Sequence, residues 1–204
     1  MWLFLQRQMP AIFIPSARPL RMLHLAPEET LRRRLRQLKN LRYVTADLNG
    51  SNVMVRLDIM QMPFADGAFD VILCSHVLEH VVDDRAAMRE CRRVLGPGGR
   101  LLVQIPQNNS RATTLEDPSI TTLEAREKHY GQFDHLRLYG RDFAQRLTQQ
   151  GFRVIERLYA DELAAEEGAA FLPRHGLWHD RIYDCWNALD PAPPRALATH
   201  RQEI

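Results

Sequence analysis

The chain has 204 residues, 45% of them hydrophobic, and a net charge of +2. That length favours one domain with a normal core, and the near-balanced charge excludes a general nucleic-acid binder. Cys74, Cys91 and Cys185 are odd in number, far apart and without a CxxC pair, which argues against a disulfide framework or a zinc knuckle and fits a reducing cytoplasm.

Met1-Trp2-Leu3-Phe4-Leu5 is apolar but is broken by Gln6, Arg7, Gln8 and Pro10. It is too short and too polar to span a membrane and lacks the charged start of a signal peptide. Residues 1–19 are therefore expected to form an amphipathic lead-in that packs on the domain, with no stable membrane insertion. Residues 21–26 form a short apolar run ending at Pro27, predicted as a buried strand. Pro27, Glu28 and Glu29 suit a helix start, and Leu31, Leu35 and Leu38 follow at helical spacing. The arginines between them, Arg32, Arg33, Arg34 and Arg36, are expected on a solvated face.

Residues 43–48 are predicted as a second strand, the turn Asn49-Gly50-Ser51-Asn52 follows, and the alternating residues 53–59 are predicted as a third. The continuous apolar run 69–75 predicts a central parallel strand. Asp83 or Asp84 should cap a helix with an apolar face of Ala87, Met88, Cys91, Val94 and Leu95, stopped by Gly96-Pro97-Gly98-Gly99. Residues 100–105 predict a fifth strand, and residues 107–139 read as less regular. A helix carrying Phe143, Ala144 and Leu147, a strand at 152–158 and a last strand at 181–186 complete the pattern. From Asp190 the composition turns to proline and alanine, and 190–204 are expected to be a disordered tail, leaving 20–189 as the domain.

Alternating strands and helices predict an α/β fold, a doubly wound, Rossmann-like sheet that binds its ligand beyond the carboxyl ends of the strands. Those ends carry His24, Asp47, Asp58, Ser75, His76 and Gln104. Asp47 lies 21 residues after Ala26, where a carboxylate accepts hydrogen bonds from ribose hydroxyls; the alternative is a turn-capping aspartate before Asn49-Gly50. His76 is placed to orient a substrate or act as a base, and a short helix would bring Glu79 and His80 near it. Two histidines and one glutamate at this spacing are not an HExxH site, and no metal is expected. The polar, aromatic stretch 129–139 offers His135 as a second candidate base and Asp134 and Arg137 as substrate contacts, against the alternative of caps and salt bridges.

The run Phe64-Ala65-Asp66-Gly67-Ala68-Phe69-Asp70-Val71-Ile72, with Ser75-His76-Val77-Leu78-Glu79-His80 and Leu95-Gly96-Pro97-Gly98-Gly99, resembles class I S-adenosylmethionine (SAM)-dependent methyltransferases over residues 20–158. The family's first loop is acidic and glycine-rich. Here Leu23-His24-Leu25-Ala26-Pro27-Glu28-Glu29-Thr30 stands in its place, similar to a methyltransferase-like subgroup with a His-x-Ala-Pro-Glu loop.

The resemblance implies a mostly parallel seven-stranded sheet with its last strand antiparallel, SAM as cofactor, and methyl transfer to an oxygen or nitrogen of a small-molecule acceptor. By the same analogy His24, Ala26, Glu28, Asp47 and Ser75 would border SAM, with Asp58 near its adenine amino group and Ile59 beside the ring. Glu28 would stand in for the missing acid at the methionine amino group, or be only a first-turn helix residue. Gln104, Asp134 and Arg137 would border the acceptor. A homodimer or partner protein is expected to cover the cleft. The second reading is a non-catalytic binding or assembly module on the same fold. A nicotinamide dehydrogenase is weaker, because it too would need glycines in the first turn.

Overall fold

A computed structural model of the chain describes residues 1–14, 18–158 and 181–187. The expected tail, 190–204, lies outside the described residues. Strands β1 (Leu20–Leu25), β2 (Leu41–Asp47), β3 (Val55–Arg56), β4 (Phe69–Ser75), β5 (Leu95–Gln104), β6 (Phe152–Arg157) and β7 (Ile182–Asn187) form one seven-stranded sheet in the order β3-β2-β1-β4-β5-β7-β6. The five strands β1 to β5 run parallel, and β7 is inserted antiparallel between β5 and β6.

Period-two alternation along the central strands builds a core on each face. On one face Leu23, Ile72, Cys74, Leu101 and Val103 meet α3 (Asp84–Val94) and α5 (Phe143–Gln149) through Ala87, Met88, Cys91, Phe143 and Leu147. On the other, Met22, Val71, Leu73 and Leu102 meet α1 (Trp2–Gln8) and α2 (Glu29–Leu35) through Phe4, Leu5, Leu31 and Leu35. The lead-in thus packs as its amphipathic pattern predicts. Burying Phe4 and Leu5 contributes about 1.5–3 kcal/mol each. The three cysteines are free thiols in this interior.

Several expectations are corrected. β3 is only Val55–Arg56 because the Asp58 carboxylate takes the Met60 amide at 2.8 Å and turns the chain early. The Gly-Pro-Gly-Gly run does not separate helix from strand: α3 passes directly into β5 at Leu95. Gly98 there has a φ of +69°, and a Cβ on Gly99 would stand 2.8 Å from the Gly96 carbonyl oxygen. The less regular stretch 107–139 also holds a helix with no expected bounds, α4 (Leu123–Tyr130), capped by the Thr122 hydroxyl, which accepts from the Ala125 amide, and stopped by Gly131 at φ +88°. Its weak amphipathicity hid it from a periodicity argument. Arg32 is buried rather than solvated, paired with Glu29 and donating to the Asn52 carbonyl.

Candidate functional site

The sheet order reverses between β1 and β4, the place where a doubly wound sheet opens a crevice at its strand ends. Two non-glycine residues there have left-handed backbones: Ala26, just past β1, at φ +42° and His76, just past β4, at φ +53°. Each costs on the order of 1–3 kcal/mol and persists only where the surroundings enforce it. The Ala26 amide is held by the Ala46 carbonyl at 2.8 Å and the His76 amide by the Gln104 carbonyl at 2.9 Å. Ala26 thus makes the turn that a glycine would make with less strain.

His24 sits fully buried under this turn. Its Nε2 lies 2.9 Å from Glu28 Oε2 and its Nδ1 2.7 Å from the Tyr43 hydroxyl. A carboxylate only accepts, so Nε2 carries the proton and Nδ1 accepts from Tyr43. Burial pushes the Tyr43 phenol up, so it keeps its proton. Burial also tends to raise the Glu28 pKa, but hydrogen bonds from His24 and from its own amide hold it below the usual carboxylate value. Glu28 is therefore an ionised, half-exposed carboxylate at the mouth of the turn.

Asp47 closes the adjacent turn with one oxygen. Its Oδ1 accepts from the Asn49 and Gly50 amides, both at 2.8 Å, and Oδ2 makes neither of these bonds. The turn-capping role is therefore real and leaves an acceptor oxygen at the strand end. Asp58 likewise accepts from the Met60 amide through Oδ1. Ile59 is buried in the core, which leaves little of its surface to flank a ring.

On the β4 side the Ser75 hydroxyl donates to Gln104 Oε1 at 3.1 Å, which ties the ends of β4 and β5 together. The His76 side chain is 55% exposed, and its Nδ1 stands 3.4 Å from Oε1 of Glu79, a residue only 1% exposed. The expected short helix is a 3-10 turn, Leu78–His80. It brings Glu79 back toward His76.

The stretch after α4 splits into two kinds of residue. Arg137 is 1% exposed, and all five of its N–H donors are used: on Leu78, Val81 and Val82 carbonyls and twice on Glu116. The expectation of substrate contact by Arg137 is thus corrected: no donor is left, and the side chain clamps the 78–82 turn against its own segment. The Leu136 amide adds a bond to the Glu79 carbonyl at 2.8 Å. His135 and Asp134 are carried to the turn by this clamp. His135 is buried, with Nδ1 3.2 Å from the Tyr130 carbonyl and its ring edge-on to His80. Burial lowers its pKa, against the opposing pull of that carbonyl. Asp134 stands 3.3 Å from His80 Nδ1 and accepts from Gln132 at 2.8 Å.

Tyr43 and the clamp by Arg137 were not foreseen as parts of the site, whereas Glu79 was expected near His76. Glu79 had a local signal, its spacing from His76; Tyr43 and Arg137 act through partners distant in sequence and had none. Two cavities, of about 270 and 550 Å³, open at the opposite edge of the sheet around Asp70, Gly98 and Arg93, away from these groups.

Residues 22–103 match the sequence model of a family described as a methyltransferase domain. An uncharacterized 37.1 kDa protein in transposon TN4556 of Streptomyces fradiae is 30% identical over 146 residues, 69% of this chain and 39% of that protein. A demethylmenaquinone methyltransferase of Mycolicibacterium vanbaalenii is 42% identical over 71 residues, 33% of this chain and 31% of that enzyme. The matched segments span less than half the length of these curated relatives. Among solved structures, an S-adenosylmethionine-dependent methyltransferase from Mesorhizobium loti superposes with a TM-score of 0.54 at 17% identity, covering 88% of this chain and 97% of that one, a likeness of fold.

Proposed function

We propose that the chain, whose residues 22–103 match a methyltransferase domain, is a class I SAM-dependent methyltransferase that transfers the methyl group of SAM to an oxygen or nitrogen of a small-molecule acceptor. The observation that carries this reading is the pair of left-handed residues, Ala26 and His76, on the two strands where the sheet order reverses. Strain held at a switch point is what a ligand crevice requires and a packing core does not.

The residues present suit SAM. Ala26 turns the backbone as the missing glycine would, so the loop can approach a ligand without a side chain larger than a methyl in the way. Ionised Glu28 can take the methionine ammonium through the oxygen not bonded to His24. Asp47 Oδ2 can accept from the ribose hydroxyls, and Asp58 from the adenine amino group. When bound, SAM supplies an electrophilic methyl group. His76, exposed at the strand end and oriented by Glu79, is the group placed to take the acceptor's proton. His135 is too buried for that task in this conformation. Gln104 and Asp134 border the space an acceptor would enter, and holding it in line supplies much of the rate.

The second reading, a non-catalytic module, draws on the His24–Glu28 pair, which already uses one carboxylate oxygen of the residue that replaces the family's acid. Calorimetric titration with SAM and with S-adenosylhomocysteine separates the two. Micromolar binding, about −8 kcal/mol, that Asp47→Ala abolishes supports the enzyme. No heat from either ligand in a folded protein would leave the module.

A further inference from the structure

We propose that Glu79, His80 and His135 bind a divalent first-row transition cation beside the crevice. One potential ligand atom from each residue lies within 4.8 Å of the other two. Glu79 is 1% exposed, yet neither of its carboxylate oxygens has a hydrogen-bond partner among the described residues. A buried carboxylate in that condition is costly unless a cation completes it. His76 approaches Oε1 only to 3.4 Å, beyond a strong charge-assisted bond.

The two imidazoles are arranged as metal-binding histidines commonly are. His80 has Nδ1 3.3 Å from the Asp134 carboxylate, and His135 has Nδ1 3.2 Å from the Tyr130 carbonyl. Both neighbours can only accept, so each Nδ1 carries the proton and each Nε2 keeps its lone pair. Two imidazole nitrogens and one carboxylate select zinc, cobalt, nickel or ferrous iron over magnesium and calcium. Three protein ligands also leave coordination positions for water or an acceptor's oxygen. Ligand atoms on one such ion stand roughly 3–3.5 Å apart, so binding draws the three groups inward. The half-exposed His80 has room to make that movement. The Arg137 clamp holds the two segments in place while it does so.

The site shares no residue with those assigned to SAM, but Glu79 also faces His76 and Asp134 the acceptor space, so the test reads metal binding and not activity. The test uses the full chain stripped with chelator and re-equilibrated with cobalt(II), read by visible absorption, and with zinc, read by calorimetry. One equivalent per chain is expected, with cobalt d–d bands and a raised Tm. Glu79→Gln and His80→Ala should each abolish the bands while circular dichroism remains that of the folded protein. Asp134→Asn should weaken zinc binding by about tenfold, the effect of losing a histidine's outer partner. Failure of the wild-type chain to bind cobalt or zinc would overturn the site, as would binding that survives both ligand variants. A SAM titration on the same samples keeps the two readings apart: SAM bound without metal overturns only this one, and metal bound without SAM leaves it standing.

Discussion

Arg137 and Glu79 are both charged, both 1% exposed, and joined through the same turn, yet their surroundings are opposite. Arg137 has every donor engaged. Around it Asp84, Arg146, Glu116 and Tyr139 complete a network in which Arg146 bonds Asp84 at 2.7 and 2.8 Å and the Tyr139 hydroxyl bonds it at 2.9 Å. Glu79 has neither oxygen satisfied. Burial alone therefore does not say what a charge is for. A saturated buried charge holds the fold, and an unsaturated one is a site awaiting a ligand.

The largest effect should come from Arg137→Ala. It takes the Arg137 donors from the Val81 and Val82 carbonyls, leaves Leu78 with the Tyr139 hydroxyl and Glu116 with Arg146 alone, and a loss of about 3–5 kcal/mol in urea unfolding is expected. Arg137→Lys should recover little, because an ammonium on a flexible stem cannot reproduce a planar five-donor fork. A stability loss below 1 kcal/mol would mean that water replaces the clamp and that saturation is no guide.

Asp70 offers a saturated carboxylate at the far edge of the sheet. It accepts from the Arg21 amide at 2.9 Å and from the Arg21 guanidinium at 2.6 and 3.1 Å. Burial tends to raise its pKa, but those bonds and the charges of Arg21 and Arg18 bring it below the ordinary carboxylate value. A lowered folded pKa means that the stabilisation is complete above about pH 4, the unfolded value, and is lost as pH falls through the folded pKa. Asp70→Asn should cost about 1.5 kcal/mol at neutral pH and flatten the decline of Tm toward acid. An unchanged acid limb would remove Asp70 from the saturated class.

The smallest effect should come from Glu79→Gln in metal-free protein. It removes a buried carboxyl group with no hydrogen-bond donor among the described residues and only His76 at 3.4 Å, so unfolding free energy should stay within about 1 kcal/mol of wild type, or rise. A loss as large as that of Arg137→Ala would show that Glu79 is a structural partner of the histidines and not a vacant ligand.

Much of the frame was legible in the chain. The apolar run 69–75 is β4, residue for residue, and Asp83 caps α3 by accepting from the Ala86 amide. Both rest on interactions within a few residues, where periodicity and capping chemistry act. The strand-end residues His24, Asp47, Asp58, Ser75 and His76 were legible as a set, because parallel strands of an alternating fold bring their carboxyl ends to one edge. Arg137 was misread because the carbonyls that consume its donors lie 59, 56 and 55 residues away. No local pattern could report that a cation in a polar stretch was already spent.

Short-range alternation and the handed winding of strands and helices, both written in the chain, set the sheet, its two apolar faces and the end at which His24, Ser75 and His76 gather. Only the tertiary structure decided that Ala26 and His76 are forced into left-handed turns, that His24 closes on Glu28 and Tyr43, and that Glu79 is stranded among three histidines. Each of these depends on which groups chain folding brings within about 3 Å of one another. At that range desolvation and hydrogen-bond saturation, not residue type, set what a side chain does.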